Sequence, residues 1–258
     1  MQDLNVTLVQ ADLVWEDPVA NRRRIEQQLV PLRGQTDLIV LPEMFTTGFT
    51  MKPEKNAEPE GPTLQWMREQ AEHAQATLTG SVAVSSDGHY FNRLYWVQPD
   101  GVVHTYDKRH LFRMAGEQDH YTAGEAPLLV EWRGWRICPL VCYDLRFPVW
   151  SRRRPGLEYD LLVYVANWPK VRRHPWQVLL KARAIENLSY CIGVNRYGVD
   201  GLGYEHSGDS AVLDFKGLPL LEAPEQAWLG SVTLDHAALH EFRRKFPAHL
   251  DADGFSLT

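Results

Sequence analysis

The sequence predicts a mixed α/β fold, in which helices cover β-sheets. Short apolar runs with strand periodicity alternate with longer amphipathic stretches of helical periodicity. One pattern also occurs twice: DLIVLPE at 37–43 and DLLVYVAN at 160–167 each place an aspartate, an apolar strand and a polar residue in the same order. Each lies in a strand–helix–strand unit followed by a hairpin. We therefore expect one domain over residues 1–258, built from two similar halves.

In the first half, strands and helices alternate up to a hairpin. Asp17 and Pro18 have the chemistry of a helix cap and a first helical position, and Gly34 is expected to end that helix. Pro42 stops the buried strand before it, so Glu43 lies just past the strand's carboxyl end. The predicted order is strand 4–8, helix 18–33, strand 37–41, helix 62–76, strand 78–85, and hairpin strands 89–98 and 102–108 around the turn PDG.

The second half repeats this order after an irregular stretch at 109–127. Asp235 is expected to cap the last helix. The predicted order is strand 135–141, helix 147–154, strand 160–167, helix 175–188, strand 190–195, a glycine-rich loop at 196–208, hairpin strands 210–214 and 218–222, strand 229–234 and helix 235–245.

Composition excludes several classes of function. The net charge of the 258 residues is -6 and the pI is about 5.9, whereas a nucleic-acid binder usually carries a basic surface. No apolar run approaches the ~18 residues of a membrane span. The three cysteines are odd in number and lack a metal-type CxxC spacing. Together with an N-terminus that lacks a basic region and a cleavage site, they predict a reducing, cytoplasmic setting without a membrane or nucleic-acid partner.

Three short islands carry the chemistry: LPEMFTTGF around Glu43, YDKRHLF around Lys108 and PLVCYDLRFP around Cys142. Each follows a predicted strand, and a carboxylate, an ammonium and a thiol are sufficient for attack on an amide carbon. Taken singly, the three side chains have ordinary interpretations: a capping acid, a surface lysine and a buried cysteine. For Cys142, however, the sequence changes abruptly from apolar to polar, which is typical of an elbow that exposes a nucleophile. We assign Cys138 and Cys191 to packing.

The sequences of these islands resemble those of the carbon–nitrogen hydrolase (nitrilase) superfamily, whose signature is a Glu–Lys–Cys triad. The resemblance implies a four-layer α-β-β-α sandwich of two mixed sheets. It also implies a second glutamate between the lysine and the cysteine, for which Glu117 is the candidate and Glu125 the competitor.

The resemblance further implies a mechanism. Glu43 acts as the base, Cys142 as the nucleophile, and Lys108 with the Tyr143 backbone N–H holds the oxyanion. No metal or organic cofactor is needed. A Cys–His enzyme using Cys191 and His206 is an alternative of a different class, as is a non-catalytic binding protein.

Segments outside the triad, namely ANWP (166–169), KARAIEN (181–187) and HSGDS (206–210), look like the omega-amidase subgroup. The expected substrate is a small amide of a 2-oxo acid, such as 2-oxoglutaramate, and its carboxylate needs a cation. Arg146 is the favoured candidate, unless it pairs with Asp144 or Asp160, and Trp168 either walls the pocket or lies in the core. Another small-amide hydrolase, an N-carbamoyl hydrolase and a nitrilase remain alternatives.

The C-terminal segment predicts a homodimer. Its apolar residues extend past the last strand, in a chain whose core is expected to be complete without them. Docking of the tail at 247–258 on a second copy by two-fold symmetry would bury them. Packing of the tail on its own subunit is the alternative. The apolar residues concerned are Leu239, Phe242, Phe246, Leu250, Phe255 and Leu257.

Overall fold

The computed structural model describes residues 2–256 and contains two six-stranded mixed sheets. The first half of the chain forms β1 (Leu4–Gln10), α1 (Pro18–Leu29), β2 (Leu38–Val40), α2 (Pro53–Asn56), α3 (Pro62–Ala74), β3 (Thr77–Ser86), β4 (His89–Val97) and β5 (Val103–Asp107). The second half forms β6 (Val130–Trp132), β7 (Trp135–Val141), α4 (Pro148–Ser151), β8 (Leu161–Ala166), α5 (Arg173–Asn187), β9 (Tyr190–Asn195), β10 (Tyr197–Val199), β11 (Glu205–Ser207), β12 (Ala211–Leu213), β13 (Pro219–Glu222), β14 (Trp228–Leu234) and α6 (His236–Lys245).

The two sheets have the same arrangement of strands. The first has the order β14-β1-β2-β3-β4-β5 and the second the order β6-β7-β8-β9-β12-β13. In each, the second, third and fourth strands are parallel to one another, and the remaining strand pairs are antiparallel. The internal repeat predicted from the sequence is thus present in the topology.

The sheets pack face to face between layers of helices, which confirms the four-layer sandwich. Alternate residues of β2 point into two different hydrophobic cores. Leu38 and Val40 pack with the second sheet, and Ile39 packs with α1 and α3. On the other side, the inner face of α5 covers the second sheet through Trp176 and Leu180. Both faces of β2 and β8 are therefore buried, which explains their continuous apolar sequence.

The predicted helix starts are confirmed at both caps. The Asp17 carboxylate accepts a 2.9 Å hydrogen bond from the N–H of Ala20, and Asp235 accepts one of 2.8 Å from Ala238. Caps of this kind stabilise a helix by about 1 kcal/mol. The end of α1 is earlier than expected, because Pro31 lacks an N–H and residues 30–32 tighten into a 3-10 turn.

Five other segments differ from the sequence-based expectation. The helix expected at 147–154 is only four residues long, and α2 and the edge strand β6 were not predicted. The stretch at 109–127 contains two 3-10 turns. The glycine-rich segment at 196–208 is a hairpin of β10 and β11, closed by Asp200, whose carboxylate accepts from the N–H groups of Leu202 and Tyr204.

Part of the prediction for the tail is wrong. Leu239 is fully buried, and Phe242 stacks on Phe215 at 4.7 Å, so both complete the core of their own subunit. Phe246, Leu250 and Phe255 remain 41–75% exposed. Leu257 lies outside the described residues.

None of the helices formed by residues 2–256 combines the length and the apolar character that crossing a membrane requires.

Candidate active site

The three islands meet in one cavity of about 300 Å³ between the ends of the strands. Glu43 follows β2, Lys108 follows β5 directly and Cys142 follows β7 directly, and all three line the cavity. The strands that carry Glu43 and Cys142 belong to different sheets. The face-to-face packing of the sheets therefore brings a base candidate and a nucleophile candidate together.

Lys108 is the centre of a buried charge cluster. Its ammonium donates to Glu43 Oε1 at 2.9 Å and to both carboxylate oxygens of Glu117 at 2.9–3.0 Å. Burial alone would lower the pKa of Lys108, but the two carboxylates outweigh it and raise that pKa. Lys108 is thus a fixed cation that points at the cavity.

Two carboxylates share one ammonium in this cluster. Burial raises the pKa of Glu117, the Lys108 ammonium lowers it and the charge of Glu43 raises it, with a net upward shift. Asn92 lies between the two acids and donates to Glu43 Oε1 at 2.8 Å. The competitor Glu125 is exposed and does not line the cavity.

Cys142 is a strained, buried thiol. Its φ of 41° is in the left-handed region, which a cysteine adopts only where the surrounding structure imposes it. Burial raises the pKa of the thiol, Glu43 raises it further and Lys108 partly opposes them. The resting side chain is therefore a neutral thiol, and a base is required to activate it. The strand-to-helix elbow expected from the sequence is a strand followed by a 3-10 turn.

The Asp144 carboxylate fixes this elbow. It accepts hydrogen bonds from the backbone N–H of Val141 at 3.0 Å and from the hydroxyl of Tyr106 at 2.7 Å. Its other oxygen receives the backbone N–H of His110 and contacts the His110 ring nitrogen Nδ1 at 2.8 Å. Asp144 consequently joins the nucleophile turn to the lysine-bearing loop.

The structure adds Asn167, a residue that no sequence motif assigned to the site. Its backbone N–H donates to Glu43 Oε2 at 2.8 Å, and its side chain donates to the Glu43 main-chain oxygen. The repeat of DLIVLPE and DLLVYVAN offered a signal, because it placed polar residues at equivalent strand ends. Asn92 carried no comparable signal, since an amide within an alternating strand is ordinary.

Three cations line the cavity, and each lies over an aromatic ring. The distances to the ring centroid are 4.9 Å for Lys108 over Phe49, 4.9 Å for Arg146 over Trp168 and 5.3 Å for Arg172 over Phe112. Asp144 is bonded to His110 and Asp160 to Arg243, so neither acid pairs with Arg146 as the sequence alternative supposed. Trp168 is 4% exposed and lines the cavity, which satisfies both of its interpretations.

The remaining sequence candidates have different positions relative to the cavity. Tyr143 lines the cavity. Cys138 and Cys191 are fully buried in β7 and β9, as expected for packing residues. His206 lines the cavity, and its ring contacts the main-chain oxygen of Tyr204 at 3.1 Å.

One cluster with metal-ligand chemistry occurs among residues 2–256, and it does not line the cavity. Asp160, His236 and His240 bring their ligand atoms within 4.8 Å of one another. The Arg243 guanidinium lies 2.6 Å from Asp160 Oδ1, so a cation already occupies this carboxylate oxygen.

Comparisons with known proteins identify the family and agree with the fold. Residues 5–244 match the carbon-nitrogen hydrolase family. Omega-amidase YafV of Escherichia coli (strain K12) is 51% identical over 258 residues, 100% of both chains. The 2-oxoglutaramate amidase of Bacillus subtilis (strain 168) is 30% identical over 250 residues, 95% of this chain and 96% of the relative.

The solved structures give the same result. A Xanthomonas campestris protein of the CN-hydrolase superfamily, crystallised with an arsenic adduct in its active site, superposes with a TM-score of 0.98 at 50% identity over 100% of both chains. With 240 residues matched to one family and full-length relatives at this identity, the chain belongs to the carbon-nitrogen hydrolase family.

Proposed function

We propose that this protein is an omega-amidase, which hydrolyses the terminal amide of a 2-oxo dicarboxylic acid through a thioester on Cys142. The observation that carries the proposal is the buried contact of Lys108 with Glu43, set against the Cys142 thiol in a cavity that also contains Arg146. The relatives named omega-amidase and 2-oxoglutaramate amidase support the substrate class. The whole chain is proposed to act as a single domain.

The first half-reaction makes the thioester. Glu43 takes the proton of the Cys142 thiol while the sulfur attacks the amide carbon. The negative charge on the amide oxygen is held by the Lys108 ammonium and the backbone N–H of Tyr143. One such donor is worth about 3–4 kcal/mol in hydrolases from which it has been removed. Glu43 then gives its proton to the leaving nitrogen, the C–N bond breaks and ammonia departs.

The second half-reaction restores the enzyme. Glu43 takes a proton from water, the resulting hydroxide attacks the thioester and the C–S bond breaks. Glu43 returns this proton to the Cys142 sulfur, and the product leaves as a carboxylic acid. Glu117 and Asn167 act on this sequence indirectly: Glu117 holds Lys108 in place, and Asn167 fixes Glu43 from the opposite half of the molecule.

The substrate preference follows from the cations of the cavity. The Lys108 ammonium is engaged by Glu43 and Glu117, whereas Arg146 has no carboxylate partner among residues 2–256. Arg146 is proposed to bind the distal carboxylate, and its guanidinium packs over the face of the Trp168 ring. A substrate with an acid group distant from its amide fits this arrangement better than a simple aliphatic amide.

Ammonia release across a substrate panel tests the proposal. The panel contains 2-oxoglutaramate, propionamide, propionitrile and N-carbamoyl amino acids. We expect the highest kcat/KM for 2-oxoglutaramate. Equal rates on propionamide and 2-oxoglutaramate would contradict the omega-amidase assignment, and a preference for the nitrile or the carbamoyl compounds would support the alternative activities.

We also propose a homodimer. Phe246, Leu250 and Phe255 are 41–75% exposed, and Val178 and Ile185, seven residues apart on one face of α5, are 47% and 51% exposed. Pairing of two copies would bury this apolar area.

A cytoplasmic location is proposed because the three cysteines are unpaired thiols, which suit a reducing compartment. Cell fractionation with an antibody tests this location.

A further inference from the structure

Arg172 is a second unpaired guanidinium in the cavity, and no sequence motif assigned it a role. It is half-buried and lies over the ring of Phe112 at 5.3 Å. Residues 2–256 provide it with no ion-pair partner, whereas the adjacent Arg173 pairs with Asp209 at 2.6 Å and with Glu225 at 3.2 Å. Of these two neighbouring arginines, only Arg172 lines the cavity.

Trp168 connects Arg172 to Arg146. The indole N–H of Trp168 donates to the main-chain oxygen of Arg172 at 2.7 Å, and the face of the same indole supports the guanidinium of Arg146. One side chain thus sets the backbone position of one arginine and the side-chain position of the other. Both arginines therefore contact Trp168 and line the same cavity, and the guanidinium is the side-chain group best suited to binding a carboxylate.

The charge around the cavity favours an anion at this site. The Lys108 ammonium is engaged by two glutamates, so Arg146 and Arg172 are the arginine and lysine cations among the described lining residues that have no carboxylate partner. The one other lining carboxylate, Asp200, is engaged by the N–H groups of Leu202 and Tyr204. Burial, together with the nearby Arg196 charge, lowers the pKa of His206 to about 4, so that this lining side chain is neutral at neutral pH.

We propose that Arg172 and Arg146 together bind the carboxylate end of the substrate and select against an ammonium group beside that carboxylate. The proposal rests on the omega-amidase function and names its selectivity device. A 2-oxo group is an acceptor that guanidinium N–H groups tolerate or bind. An α-ammonium group is a cation and is repelled by both arginines. Glutamine and asparagine are thereby excluded, while 2-oxo and unsubstituted dicarboxylic monoamides are accepted.

The test uses Arg172→Met with Arg173→Met as the matched control, since Arg173 is the neighbouring cation that does not line the cavity. Ammonia release is measured with 2-oxoglutaramate, succinamate, glutamine and propionamide. For Arg172→Met we expect kcat/KM to fall at least ~10-fold on 2-oxoglutaramate and succinamate, mainly through KM, the scale of a lost hydrogen bond between charged groups. The rate on propionamide should change less than ~3-fold, since a neutral substrate makes no such contact.

The discrimination itself is the second readout. The ratio of kcat/KM for 2-oxoglutaramate to that for glutamine should decrease in Arg172→Met and in Arg146→Met, and should stay unchanged in Arg173→Met. Labelling of Cys142 by the neutral reagent iodoacetamide checks that each variant has an intact site. Should Arg172→Met lose labelling, Arg172→Gln is measured in the same way.

The outcomes separate this inference from the function on which it rests. If the wild type releases ammonia from none of the four amides, the proposed function is wrong. If the wild type prefers 2-oxoglutaramate but Arg172→Met keeps both the wild-type KM and the wild-type ratio, the omega-amidase function stands and the role of Arg172 is refuted.

Discussion

The backbone N–H of Asn167 donates a 2.8 Å hydrogen bond to Glu43 Oε2. Glu43 follows β2 and Asn167 follows β8, so this bond joins the third strands of the two equivalent sheets. The orientation of the proposed base therefore depends on how the halves of the molecule pack. The polar residues at the ends of the two repeated strands have different proposed roles: Glu43 is proposed as the base, and Asn167 is proposed to fix the position of Glu43.

Removal of the Asn167 side chain tests the positioning role. We expect Asn167→Ala to lower kcat by ~10- to 100-fold with little change in KM, because Glu43 loses the amide that binds its main chain. Asn56→Ala, at the end of the surface helix α2, is the control and should keep the wild-type rate. Steady-state kinetics decide the matter, and a wild-type kcat in Asn167→Ala would show that the backbone N–H alone is sufficient.

Glu43→Gln and Lys108→Ala each remove one proposed participant in the reaction. Both variants should lose at least ~100-fold in kcat, the scale of one acid–base group or one oxyanion donor. Gln preserves the shape of Glu43 but accepts no proton. Glu125→Gln is the matched control, since Glu125 is an exposed acid that does not line the cavity. Half the wild-type rate in Glu43→Gln would remove Glu43 from the mechanism.

The thiol state of Cys142 predicts a pH dependence of alkylation. Burial and the neighbouring Glu43 both raise the pKa of this thiol above its ordinary value, so its thiolate fraction is small at neutral pH. The rate of Cys142 labelling by iodoacetamide should accordingly rise from pH 7 through pH 9 and not level off between them. A plateau reached below pH 7 would instead indicate a preformed thiolate–lysine ion pair.

Deletion of residues 247–258 tests the proposed dimer. The exposed Leu250 and Phe255 lie in the deleted segment, whereas the buried Leu239 and the stacked Phe242 are retained. The truncated chain is therefore expected to keep its core and to dissociate to a monomer. Light scattering at micromolar concentration measures both forms. A monomeric full-length protein would refute the dimer, and a dimeric truncated protein would refute only the role of the tail.

The elements that the sequence predicted well are long or strongly patterned. The bounds of β7 and β9 agree with expectation, because each is a mostly apolar segment, WRICPLV in β7 and YCIGVN in β9. The three-residue strands β6, β10 and β11 were missed because so short a segment shows no periodicity. The hairpin of β10 and β11 depends on a turn closed by Asp200, which composition alone describes as a loop.

The same contrast holds at the site. Glu43, Lys108 and Cys142 have ordinary interpretations when taken singly, but the three islands together predicted the site, and the structure brings these islands into one cavity. Asn167 and Arg172 acquire their positions from contacts between distant segments. The repeated strand pattern indicated a polar residue at position 167 but not its partner, and Arg172 has no distinctive local pattern, so only the packing of the halves shows what each side chain contacts.

The central claim is that Cys142 is the nucleophile, and ammonia release from 2-oxoglutaramate tests it most directly. The variants are Cys142→Ala and Cys142→Ser, with Cys138→Ser and Cys191→Ser as controls in which another buried thiol is removed. Circular dichroism is used to check that each variant retains its fold. We expect both Cys142 variants to release no ammonia above the uncatalysed rate and both control variants to retain turnover. Wild-type turnover in a folded Cys142→Ala variant would contradict the mechanism.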